Sequence, residues 1–161
     1  MKIYTEEKLR ELIEIRKMNV YQILCSLVMG SLIKRKILSQ GVVNIICKDV
    51  GPRFVEILQA KGLVGEYESN KSGLKRMIND VCKVMGMEDV TKIEEVEEGI
   101  AVFVKSKYCK LCIRSVDESI PRTACIFPKI FEAMANHLDI PCCVDSSVRH
   151  VDNLCKVVFK I

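Results

Sequence analysis

Near residue 90 the hydrophobic pattern of the chain changes period, and this change limits the folds open to it more than any other feature. Upstream, apolar residues recur at helical spacing. Downstream, the stretches Thr91 to Val96 and Ile100 to Tyr108 are rich in β-branched and aromatic residues. They are separated by Glu97-Glu98-Gly99, a hairpin signature. Pro121 then introduces a helix over about Arg122 to Leu138, and Pro141 opens a strand reaching about His150. Asp152-Asn153 makes a turn, and Leu154 to Ile161 forms a last strand. This order predicts an α+β fold, with long helices packed on a four-stranded antiparallel sheet in hairpin–helix–hairpin order.

The upstream part reads as helices. Thr5 caps a first one, with Glu6 and Glu7 in its first turn. A second runs from about Asn19 to Leu38, and its apolar surface, including Ile23, Leu27, Val28 and Leu32, is wide enough for burial on more than one side. A third spans about Gly41 to Lys61, kinked at Gly51-Pro52 and ended by Gly62 and Gly65. Ser72 opens a fourth, with Gly86 as its C-cap. The 161 residues, 49% hydrophobic and 29% charged, fit one globular domain, 1–161, in which 1–18 form an N-terminal helical extension.

The net charge of +4 is spread along the chain. Lys34-Arg35-Lys36 and the lysines from Lys105 to Lys110 have no interleaved aromatic platform, so nucleic acid is not an expected partner. Val20 to Ile33 is too short and too interrupted to cross a bilayer, and the N-terminus is no signal peptide. A cytoplasmic setting is the expectation, so the nine cysteines are not read as a disulfide framework.

Antiparallel geometry sorts those cysteines. Cys109 and Cys112 follow the second strand, Cys125 falls in the first turn of the helix opened by Pro121, and Cys155 follows the last turn. All four are expected at one end of the domain, with Cys142 and Cys143 at the other. Four thiolates suit tetrahedral zinc. A redox pair of Cys109 and Cys112, or inert buried thiols, are the alternatives. Cys25, Cys47 and Cys82 sit at apolar helical positions and read as ordinary buried thiols.

Two segments, Cys125-Ile-Phe-Pro-Lys-Ile-Phe-Glu-Ala and the ending Cys155-Lys-Val-Val-Phe-Lys-Ile, resemble the pocket helix and closing strand of 4-vinyl reductase-type small-molecule-binding domains. Asp49-Val-Gly-Pro-Arg-Phe-Val-Glu-Ile-Leu is similar to the second long helix of TRAPP-type transport subunits, which share that fold. The resemblance implies a ligand-binding domain over 19–161 that holds an apolar small molecule between helices and sheet. Met29, Phe54, Leu58 and Phe103 are pocket candidates, and the N-terminal helices would form a homodimer surface. It also implies Cys125 and Cys155 as ligands. The family's Glu and further Cys in the penultimate strand fall here on Val144 and Ser147, which leaves Cys109 and Cys112 to complete a metal site.

No catalytic constellation is visible. His137 and His150 have no evident partner in a reaction, and Glu94, Glu95, Glu97 and Glu98 read as a solvated run beside a turn. The expected function is non-catalytic binding or sensing, with a TRAPP-like adaptor, an accessory reductase component or a thiol redox sensor as alternatives.

Overall fold

The computed structural model describes residues 4–112, 119, 125–144, 149–151 and 153–161. The first four helices each begin where a side chain can accept one of their orphan N–H groups. Helix α1, Glu6–Arg10, is capped by Thr5 Oγ1, which accepts from Lys8 N–H at 3.2 Å, and it continues as a π-turn over Glu11–Ile15. Helix α2, Val20–Lys34, starts in a capping box: Asn19 and Gln22 each accept the other's backbone N–H at 2.9 Å. Helix α3, Gln40–Ala60, is capped by Ser39. Helix α4, Lys71–Val84, is capped by Asn70 rather than Ser72, because the Asn70 amide oxygen already reaches Gly73 N–H at 2.9 Å. Gly62 and Gly86 take positive φ just past α3 and α4, as their helix-ending role requires.

The sheet consists of β1 (Thr91–Val96), β2 (Gly99–Lys105), β3 (Cys143–Val144), β4 (Arg149–Val151) and β5 (Leu154–Lys160). All pairings are antiparallel, in the order β1-β2-β5, with both β3 and β4 along the far edge of β5. The sheet is therefore four strands wide, as the α+β reading expects. Strand β2 stops at Lys105 rather than Tyr108. Ser106 donates from both its N–H and its hydroxyl to the Asn153 carbonyl, and the chain turns there through a 3₁₀ segment, Ser106–Tyr108.

Alternation along the strands puts Ile100, Val102 and Val104 opposite Phe159, Val157 and Cys155 on one face. Helices α4 and α5 (Phe127–His137) cover that face. Helix α4 contributes Leu74, Met77, Ile78 and Val81, at spacings of three and four, all with no exposure. Helix α5 contributes Phe127 stacked on Phe131 at 4.5 Å, with Phe131 tilted against Phe159 at 6.4 Å.

Side chains of α5 also hold the short strand β3 in place. Glu132 Oε2 accepts from Val144 N–H and from Lys129 Nζ, both at 2.7 Å, and Lys129 also donates to the Val144 carbonyl. Asn136 exchanges two hydrogen bonds with the Cys142 backbone.

Helix α3 lies on the outer side of α5 and runs in the same direction. Cys47 is beside Ile126, Gly51 is against Ala133, and Glu56 Oε1 meets His137 Nε2 at 2.9 Å. The contact at Gly51 is close enough that an added Cβ would stand 2.7 Å from the Ala133 Cβ. Pro52 stays inside the helix, which runs on to Ala60.

Two expectations follow. Helix propensity alone would make Gly51→Ala stabilising by about 1 kcal/mol. The close contact should reverse the sign, to a loss of about 1–3 kcal/mol in urea denaturation; a stabilised variant would contradict this packing. Burial pushes the Cys82 thiol up to about 11 from 9.0. An unfolded chain ionises this thiol first, so its contribution is intact below about pH 9 and is lost as pH rises towards 11, on the order of 2 kcal/mol. Unfolding free energies measured from pH 8 to 11 should fall less steeply in Cys82→Ala than in the natural protein.

Candidate thiol centre

The β2–β5 register places Val104 opposite Cys155, so the chain leaving β2 and the chain entering β5 share one end of the sheet. Cys109 and Cys112 follow within a few residues. They bracket a turn in which Cys112 N–H donates to the Cys109 carbonyl at 3.2 Å. Cys125 arrives from the other direction, two residues ahead of α5. It lies before the helix and not in its first turn, because Pro128 occupies the opening turn and Ile126 is the N-cap. The expected helix start at Pro121 and Arg122 lies outside the described residues, as do the loop 113–118 and Ser147.

Cys109 is within electrostatic reach of the other three thiols, and Cys125 of Cys112 and Cys155. Burial raises the Cys109 thiol well above its usual range, and the neighbouring Cys125, Cys112 and Cys155 would raise it further as thiolates. Burial likewise pushes Cys125 up to about 12, with Cys112, Cys155 and Cys47 adding to the effect. Opposing these shifts, the backbone N–H of Leu111 favours the Cys109 thiolate and that of Phe127 favours the Cys125 thiolate. In both cases the amide is two residues past the sulfur it serves, an arrangement suited to a thiolate held by a cation. Among the described residues, no group of three or more His, Cys, Asp or Glu side chains is close enough to hold a metal ion as it stands. A shared ion would have to draw the sulfurs inward.

Cys47 belongs to the same neighbourhood. It is buried on α3, its Sγ is 3.8 Å from the Ile126 carbonyl, and its thiol is pushed up to about 11 by burial. In the sequence it reads as one more apolar helical position, and only the packing of α3 on α5 brings it to Cys125. Cys142 and Cys143 stand elsewhere. Cys143 pairs with Lys160, five residues along β5 from Cys155 and about 17 Å away at strand rise.

The remaining candidates are scattered. Met29 packs with Ile33, Leu38, Val43 and Cys47 where α2 meets α3. Leu58 lies in the main core, with Phe54 packed against it. Phe103 is on the opposite face of the sheet, under the Lys156 ammonium at 5.5 Å, in a shallow concavity of about 430 Å³ also lined by Asp89, Lys92 and Lys105. These four residues do not line one cavity. His137 is engaged by Glu56, and His150 stands across from Cys155 in the backbone register. In the acidic run, Glu95 pairs with Lys75 and Glu98 with Lys160.

Among known proteins, the model of the MJ0207 family matches residues 36–161. No curated protein and no solved structure matches the chain. The match overturns the resemblance to 4-vinyl reductase-type domains and to TRAPP-type subunits. The segments behind that resemblance are short, and two of the three are a cysteine leading an apolar helix or strand. Packing needs alone can produce such a pattern in an α+β domain. Helices α1 and α2 precede the matched region, which covers α3 to β5 and every cysteine of the thiol centre. The chain belongs to the MJ0207 family.

Proposed function

We propose that this protein is a non-catalytic binding domain whose cysteine end is fastened by a zinc ion held by Cys109, Cys112, Cys125 and Cys155. The observation that carries the reading is the convergence of these cysteines from three separated stretches of chain, two of them with a backbone amide serving the sulfur. The donor set fits the ion: thiolate sulfur is soft, and zinc imposes no geometry beyond the tetrahedron that four such ligands prefer. Bound zinc would supply charge to hold four thiolates together in a half-buried site. All-cysteine sites of this kind are structural, with no open position for a substrate. A reducing, cytoplasmic compartment belongs to the same proposal, since it keeps the thiols available. No helix among the described residues is long and apolar enough to cross a membrane.

The redox-pair alternative uses only Cys109 and Cys112, and burial disfavours the thiolate of Cys109. An apolar ligand between helices and sheet has lost its family support, and its candidate residues stand in three places. The partner in our reading is a second copy of the chain, supported by the apolar surface its N-terminal helices leave exposed.

Metal analysis of protein purified under reducing conditions should find about one zinc per chain, as a closed four-ligand site requires. Cys109→Ser and Cys125→Ser should each weaken zinc binding at least about tenfold, as loss of a ligand does, and Cys143→Ser should leave it unchanged. Chelation should lower the melting temperature of the natural protein. Protein that carries no stoichiometric zinc, and takes none up, would end the proposal.

A further inference from the structure

Helix α2 is built inside out. Its inward positions are Ser26, Gly30 and Ile33, two of them small. Its outward face shows Val20, Tyr21, Leu24, Leu27 and Val28, between 40% and 79% exposed. No charged residue occurs from Val20 to Ile33. A helix that is apolar all round belongs inside a larger structure, yet no described element packs along the length of α2. Its apolar contacts among the described residues are Ile23 with Leu12 and Met18, and Met29, Leu32 and Ile33 with Val43 and Cys47 of α3. Helix α3 adds Ile45, Ile46, Val50 and Ile57, between 37% and 68% exposed.

The geometry points to a homodimer in which α2 pairs with α2 of a second copy, antiparallel about a two-fold axis near Leu24 and Cys25. This rests on the homodimer reading above and names its surface. Three observations select a second copy over other occupants. The nine large apolar side chains just named, five on α2 and four on α3, are each at least 37% exposed, a surface of the kind that stable interfaces bury and that monomers seldom leave uncovered. From Val20 to Ile33 the α2 face carries no charge, so it offers nothing to a charged partner and is complementary to itself, as an isologous contact requires. An interfacial helix on a lipid surface would show a basic polar face, and α2 has none.

Tyr21, Leu24, Cys25 and Val28 fall at i, i+3, i+4 and i+7, one stripe of the helix. In an antiparallel pair centred on this stripe, the exposed Cys25 thiols of the two copies approach each other.

The test uses the full chain with its thiols reduced. Sedimentation velocity over a range of concentrations should give a dimer for the natural protein. Leu24→Glu and Val28→Glu, both at exposed positions, should weaken dimerisation by at least about a hundredfold, in the range of interface-centre losses, with an unchanged circular dichroism spectrum. A short bismaleimide should join two chains in a Cys143→Ser background, and should fail when Cys25→Ser is added. A dimer that survives both glutamate substitutions and does not cross-link through Cys25 overturns the α2 assignment and leaves the homodimer reading standing. A natural protein that stays monomeric at every concentration overturns both. Flotation of that monomer with neutral phosphatidylcholine vesicles would assign the face to lipid instead.

Discussion

The pairing of β2 with β5 is the constraint on which the other features depend. It joins residues 99–105 to residues 154–160 over seven consecutive positions, from Gly99 opposite Lys160 to Lys105 opposite Leu154. That register sets which residues face α4 and α5, and it fixes Phe159 against Phe131. It also brings the turn carrying Cys109 and Cys112 to the start of the strand carrying Cys155. A slip of one residue would send every core side chain of β5 to the solvent face. The polar clamp from α5 onto β3 secures the far edge of the same strand, so β5 is held from both sides.

The layers built on that pairing differ in how tightly they are packed. The sheet, α4 and α5 form a dry core of fully buried aliphatic and aromatic residues. Helix α3 is fastened to this core at Cys47, at Gly51 and through Glu56 with His137. Beyond α3 the packing thins to the contact of Met29, Leu32 and Ile33 with its start, and α2 turns large apolar side chains outward. The thiol centre lies at the boundary between the dry core and the surface, where Cys109 is buried and Cys112, Cys125 and Cys155 are half-buried.

Much of this was legible because it depends on local chemistry. Thr5 and Asn19 start helices, Gly62 and Gly86 end them, and Glu97-Glu98 turns a hairpin; each of these signals acts over a few residues. The grouping of Cys109, Cys112, Cys125 and Cys155 could be read because an antiparallel return leaves little choice of where a chain comes back. What failed depended on tertiary contacts or on competition between equals. Asn70 and Ser72 are both good caps, and only the backbone decides between them. Cys47 joins the centre through the packing of two helices that no periodicity reveals. Helix α2 was legible as apolar on more than one side, but a pattern cannot say which side faces inward. The family assignment failed for another reason: motifs of a few residues around a cysteine carry too little information to separate one α+β family from another.

The central position of β5 has a consequence for how the chain comes off the ribosome. The hairpin of β1 and β2 and the short strands β3 and β4 have no partner in common until residues 154–160 emerge, because β5 alone joins them. Until then the apolar face of the hairpin, Ile100, Val102 and Val104, has α4 available as cover but lacks half of its sheet. Contacts between stretches about fifty residues or more apart form slowly, and an unpaired strand edge is a point of attack for aggregation while it waits. The sheet therefore closes when β5 is added, in one step that joins the β1–β2 hairpin to β3 and β4 rather than by gradual growth.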